Sequence, residues 1–445
     1  MMTRSLTALS LCVMTAGLMS GCSWFEDEKK VPLPGERISV LQLQRGLEPT
    51  DVAVQGEGFI APEAWQNEYW PQAGGYPTHA MLHVVLSDKS LEKVWSADIG
   101  DGSSDEAPLT AQPVVFEGTV YTLDTDSEVS AFDLKSGKRL WKNGIRPKFE
   151  DEEVIGGGLA ASKNILYVTN GYRELIAMNP KEGGIYWRAT LPSPSRAAPT
   201  ILNETVYVLT VDNQLLALEA ATGKRKWDYE GTAETAGLVG AASPAVNNDI
   251  VVTPLSSGEL TALRVENGSV AWSDNLSPMV NTGGAASLPD IRALPVIDKD
   301  LVFGISYGGK VVAIEQRTGH RVWQRDIGGA KSPWVAGNMI FLISSDSELV
   351  SLSRDTGSLL WVKNLSDYLQ EKEDQDRNSL LWYGPVLAGG RLIVTSPEGA
   401  VLEISPKDGT LIRLLNTGDA VAAPPVVAAG TLFLLHKNGT LSAWK

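Results

Sequence analysis

The sequence predicts an all-β chain: an eight-bladed β-propeller of four-stranded antiparallel blades, closed by joining its N- and C-terminal strands. Three observations carry that prediction. Six segments place Trp four residues after Gly, ending at Trp141, Trp187, Trp227, Trp272, Trp323 and Trp361; a seventh, Gly409 to Arg413, keeps only the Gly. Counting 28 residues back from these ends reaches Pro113, Pro199, Pro244, Pro295, Pro333 and Pro385, with Leu159 the one exception. Thirteen residues into each unit comes a turn pair, among them Asp126-Ser127, Asp212-Asn213, Ser257-Gly258 and Asp346-Ser347. So many spacings in one register describe a repeated four-strand unit.

The elements follow in order. Residues 1–21 read as a secretory signal: Arg4, a short apolar run from Ser5 to Leu18, and small residues before Cys22. The run is too short to persist as a spanning helix. Residues 22–64 are polar and carry Pro32, Pro34, Gly35 and Pro49, as an extended tether does. Residues 65–445 form the propeller. In each unit the first strand opens near the proline, where a missing N–H costs least. The second is β-branched and aromatic, as in Thr119-Val120-Tyr121-Thr122-Leu123. A tight turn leads to the third strand, and the Gly turn leads to the Trp strand. Four short strands cannot bury both faces alone, so units stack, with Trp141, Trp187, Trp227, Trp272, Trp323 and Trp361 as blade-packing residues. The strands from Pro425 to Trp444 lack a Trp strand, whereas the Trp95 copy, with Leu91 in place of Gly, lacks its predecessors. Joined, they make the eighth blade and leave no free sheet edge. Met81 to Leu86 is also strand-like and competes for the third position there.

Within a blade the spacing is constant, but the links between blades run from 10 residues (Trp323 to Pro333) to 24 (Trp361 to Pro385). In an antiparallel four-stranded blade these links share a face with the turns between second and third strands. Variable loops on a rigid frame are where binding concentrates.

Charge and composition exclude other functions. Asp and Glu number 53 against 38 Lys and Arg, so nucleic acid is not an expected partner. Removal of Arg4 with the signal leaves a net charge of −16. Of two cysteines, Cys12 departs with the signal and Cys22 remains, which leaves no structural disulfide. No metal, cofactor or catalytic residue is expected. Asp124-Thr125-Asp126-Ser127-Glu128 begins like a calcium loop but lacks its sixth-position Gly and terminal Glu, and reads as a strand turn. His79 and His83 have ligand-like spacing without companion residues and read as packing or turn residues. Gly156-Gly157-Gly158 has no following Lys or helix. The acidic runs 150–153 and 371–376 lie in long links and read as solvated faces able to steer a basic partner.

The stretch Val-Val-Ala-Ile-Glu-Gln-Arg-Thr-Gly-His-Arg-Val-Trp (311–323) resembles pyrroloquinoline-quinone-type propeller repeats. Two functional branches share them: quinoprotein dehydrogenases, and the BamB family of lipoproteins in the outer-membrane β-barrel assembly machinery. Met19-Ser20-Gly21-Cys22 resembles the bacterial lipobox, with Met19 where Leu is usual, which implies acylation of Cys22. Ser23, in place of Asp, implies retention in the outer membrane, facing the periplasm. With the eight-blade count, these features make the chain similar to the BamB branch over about residues 20–445. The resemblance implies a non-catalytic scaffold that binds the periplasmic domains of the central assembly barrel and assists unfolded outer-membrane protein clients. It attributes partner contact to Arg196, before the third blade, and to Asp290, before the fifth. The family's flanking leucines are Ser193 and Ser195 here, and its next acidic position is Arg292. The alternative is a periplasmic quinoprotein-like dehydrogenase or ligand-binding propeller. A vicinal disulfide common in that branch has no cysteines to form it here.

Overall fold

The computed structural model describes Leu47 and residues 58–150, 154–232, 241–277, 289–369 and 382–445. The signal and Cys22 lie outside the described residues. The described strands form eight four-stranded sheets, all antiparallel. Seven blades are each built from consecutive strands. They begin at Val114, Leu159, Thr200, Ala245, Val296, Trp334 and Tyr383 and end at Gly144, Thr190, Glu230, Asn275, Arg325, Asn364 and Asn416. In the eighth, Lys93–Asp98 (β1) pairs with Thr440–Trp444, joined to Thr431–Leu435 and Val426–Ala428. The eight-bladed closure predicted from the spacing is therefore the observed one. Met81–Leu86 takes no place in the eighth blade: Trp95 pairs with Ala443, and Val84 bridges instead to Trp65 and Ala388.

The repeated spacing has a packing cause. In the first blade Ala131 stands between Tyr121 and Trp141 in register. The same triple recurs as Tyr167–Ala177–Trp187, Tyr207–Ala217–Trp227 and Phe303–Ala313–Trp323. A small residue flanked by two large ones lets the rings approach, with centroids 5.9–6.1 Å apart in these four blades. A bulge after each of these alanines offsets the outer strand. Among the described residues, apolar clusters pack neighbouring blades together, and one of them joins Trp70, Met81 and Val84 to the sixth, seventh, eighth and first blades.

Each Trp reaches the next blade. Nε1 of Trp95, Trp141, Trp227, Trp272, Trp323 and Trp361 donates to the carbonyls of Leu134, Pro180, Val265, Gln316, Arg354 and Pro406 at 2.8–3.2 Å. The motif glycine of that next blade lies on the indole. A Cβ at Gly183, where φ is +74°, would stand 2.5 Å from Trp141 Cε3. Gly183 thus serves two needs, a left-handed turn and room for the ring. Gly183→Val is expected to cost about 2–4 kcal/mol through strain and overpacking. Gly118→Ala, at φ +75° with nothing within 4 Å, should cost only about 1 kcal/mol. Denaturant midpoints of the two variants check this.

The two irregular copies explain one another. Arg413 replaces Trp in the seventh blade, and Leu91 replaces Gly in the eighth, the blade that receives it. Arg413 Nη2 donates to the Asp88 carbonyl at 2.8 Å, as the indoles do elsewhere, and Leu91 is buried. Where no indole arrives, no glycine is needed.

Candidate functional site

The innermost strand of every blade is an edge, with N–H and C=O groups turned to the axis. Residues 65–86 meet these groups blade by blade. Asn67 accepts from the Ala429 N–H at 2.7 Å and donates through Nδ2 to the Val427 carbonyl. Trp70 exchanges two backbone bonds with Val115 at 2.8 Å, and Pro71 accepts from Ala161. Gln72 Oε1 takes the Ile201 N–H at 2.8 Å. Pro77 and Thr78 accept from Val246 and Ile297. Leu82 accepts from Trp334 Nε1 at 2.6 Å, and Val84 pairs with Leu387 and Gly389. Five of these donors, Val115, Ala161, Ile201, Val246 and Ile297, stand at the same place, two residues after the unit's start. An irregular segment can follow a ring because the ring repeats one donor position. Residues 65–86 are an axial strap that touches all eight blades.

Both strap histidines are structural. His79 is buried, its Nδ1 lies 2.7 Å from the Pro295 carbonyl, and burial pushes its pKa down to about 4. His83 Nε2 accepts from the Gly390 N–H and Nδ1 meets the Pro62 carbonyl, which assigns the proton to Nδ1. Just before the strap, Ile60 N–H donates to Asn338 Oδ1 and Gly58 accepts from Asn338 Nδ2. Asn338 lies in the first turn of the sixth blade, so residues 58–60 meet the body on the face opposite the links.

On the link face the turns and links are tied together. Leu191, Gly231, Leu276 and Leu365 donate backbone N–H groups to the turn residues Arg173, Asn213, Gly258 and Ser347. Asp124–Glu128 is such a turn, closed by Glu128 N–H on Asp124 Oδ1 at 2.7 Å. Burial raises the Asp124 carboxyl to about 6.

Arg196 lies three residues before the third blade's first proline and is partly exposed. The neighbouring Ser195 is buried, and its Oγ donates to the Leu209 carbonyl at 2.8 Å. Pro194 accepts from the Val211 N–H. Arg196 therefore stands on a fixed stretch of backbone. Asp290 is buried and bound by Arg292 Nε at 2.8 Å. Burial lowers the Arg292 pKa, Asp290 opposes the shift, and the like charge of Arg196 adds to it. The two links thus bring Arg196 and Asp290 within electrostatic reach of Arg292. Lys331, in the next link, stacks over the Tyr383 ring at 4.3 Å, and desolvation lowers its pKa to about 8.

Sequence reasoning missed the strap, because it lies outside the repeat and bonds largely through backbone. It also missed the clamp of Asp290 by Arg292. That signal was present: residues i and i+2 of an extended segment share a side.

A profile of the outer membrane protein assembly factor BamB matches residues 125–363. BamB of Yersinia pestis is 26% identical over 374 residues, 82% of this chain and 92% of the relative. The crystal structure of BamB from Moraxella catarrhalis superposes with a TM-score of 0.68 at 21% identity, covering 80% of this chain and all of that one. A quinohemoprotein alcohol dehydrogenase from Pseudomonas putida reaches 0.63 at 12% identity, over 85% of this chain and 80% of its own. These two superpositions speak to the fold alone.

Proposed function

The chain belongs to the BamB family, and on that premise we propose that it is a non-catalytic accessory propeller of the outer-membrane β-barrel assembly machinery. Acylated Cys22 holds it to the periplasmic face of the outer membrane through the tether of residues 22–64. Its link face docks on the periplasmic domains of the central barrel subunit, with Arg196 among the contacts, and so assists insertion of unfolded outer-membrane proteins. The family match over residues 125–363 carries the reading. Two features of the molecule support it. Length variation falls on the link face, while residues 58–60 meet the opposite one. The axis, where a propeller of this size offers its deepest cavity, is threaded by the strap.

The experiment is purification of the chain from detergent-solubilised envelopes. It should carry with it an outer-membrane barrel bearing periplasmic domains, and should incorporate a palmitate analogue that Cys22→Ser abolishes. Purified protein that gains quinone absorbance and oxidises alcohols or sugars, without any barrel, would overturn the proposal.

A further inference from the structure

The residues just before each unit's opening position form layers around the link-side mouth of the axis. One residue before it, neighbouring units touch. Gln112 Nε2 donates to the Pro424 carbonyl at 3.3 Å, Ser243 Oγ to the Ala198 carbonyl at 2.8 Å, and the Leu294 N–H to Ser332 Oγ at 2.9 Å. The strap reaches that layer, because Trp70 Nε1 and the Gly74 N–H both donate to Gln112 Oε1. Among the described residues no strap hydrogen bond extends to the next layer out. In six units that outer layer is a buried Ala or Gly, such as Gly157 and Ala197. The two exceptions are neighbours, Lys331 in the sixth unit and Tyr383 in the seventh, with Lys331 Nζ 4.3 Å from the centre of the Tyr383 ring.

Two polar groups lack an acceptor there. Among the described residues the Lys331 ammonium makes no hydrogen bond or ion pair, whereas the enclosed Arg354 and Arg391 have Asp298 and Glu403. The chain has 53 acidic side chains to 38 basic ones, so this cation is not left bare by a shortage of carboxylates. Thr395 is fully buried and pairs in register with Tyr383, so both side chains leave the same face of the sheet. The second unit shows where such a hydroxyl points. Thr169, in the equivalent place, donates to the Ala197 carbonyl at 2.7 Å, and a Cβ on Gly157 would stand 2.2 Å from its Oγ1. Thr395 Oγ1 has no partner among the described residues. A desolvated ammonium and a buried hydroxyl beside one ring, both without acceptors, carry a cost that a bound anion would offset. We infer that Lys331 and Thr395 form a binding site for the carboxylate of a small organic acid, with Tyr383 as its wall. The small residues that complete the layer are buried, so a folded surface does not reach it and the ligand is a small molecule.

Purified mature protein tests the site without any barrel. Desolvation holds the Lys331 pKa down at about 8, so near neutral pH part of it is an uncharged, nucleophilic amine. Trace acetylation with acetic anhydride, read by peptide mass spectrometry, therefore reports on this residue. Benzoate or succinate is added at constant ionic strength. A bound carboxylate favours the ammonium, raises its pKa and covers it. Labelling of Lys331 should then fall about fivefold or more, while that of the exposed Lys224 is unchanged. Benzamide and succinamide, which carry no charge, should give no protection. Equilibrium dialysis of labelled benzoate is the second arm. Lys331→Gln should abolish binding, and Thr395→Val should weaken it by about threefold to tenfold, with melting temperatures confirming that both variants fold. Undiminished labelling with both acids, equal protection by the amides, or full binding by Lys331→Gln would overturn the inference. None of these results bears on the docking reading, which is decided by capture of the barrel.

Discussion

Trp70→Ala is expected to destabilise the protein by about 3–5 kcal/mol, the usual range for removing a fully buried indole. Trp70 is 1% exposed. Its ring stacks on Trp334 with centroids 6.4 Å apart, and its backbone is bonded in both directions to Val115. The loss should be felt around the axis as well as at the first blade, because one strap satisfies donors on successive blades. Hydrogen exchange is the sharper measurement. The amides of Val115, Ala161, Ile201, Val246 and Ile297 all donate to residues 70–78, so they should lose protection together while the mid-blade strands keep theirs. Unchanged protection at these five amides would mean that the strap does not hold the inner edges.

Glu403→Ala should cost a comparable amount, about 3–5 kcal/mol. Glu403 stands where other blades have the small central residue, opposite Arg413 in register. Its side chain is 1% exposed, and Oε2 meets Arg391 Nε at 2.5 Å and Arg413 Nη2 at 2.6 Å. Burial lowers the Arg391 pKa, Glu403 counters that, and the neighbouring Arg413 adds to the lowering. Removing the carboxylate would leave one guanidinium enclosed and another half-enclosed without their counter-charge. Restoring the ordinary seam makes the opposite expectation. Glu403→Ala combined with Arg391→Leu, Arg413→Trp and Leu91→Gly supplies the Ala, the indole and the glycine found between other blades, and should regain most of the lost stability. Arg413→Trp alone should not, because Leu91 occupies the space that an indole needs. Denaturant midpoints of the three variants decide the matter.

Those two sites also mark how far the sequence could be read. The spacing of Gly, Trp and Pro announced the blades because the seam between blades is a physical constraint repeated around the ring: an indole, a bare glycine beneath it and, for all the motif tryptophans but Trp187, a carbonyl to receive its N–H. Even the exceptions were visible, although pairing Leu91 with Arg413 required knowing that the seventh blade leans on the eighth. The strap was not legible. Its contacts are made largely by main-chain carbonyls of Trp70, Pro71, Pro77, Thr78 and Leu82, to which sequence patterns are blind, and it has no second copy to reveal a period. Met81–Leu86 looked like a strand because it is apolar and carries Val84 and Val85, which also suits a segment buried along an axis. The family resemblance implied that Asp290 contacts the partner, and the structure pairs it with Arg292.

The docking claim is tested most directly by photo-crosslinking in intact cells. A photoreactive residue placed at Pro192 or Val211, both exposed on the link face, is expected to give adducts with the barrel subunit. The same residue at Glu204 or Asn248, exposed on the opposite face, is expected to give none. Adducts only from Glu204 and Asn248, or none from any of the four, would contradict the account.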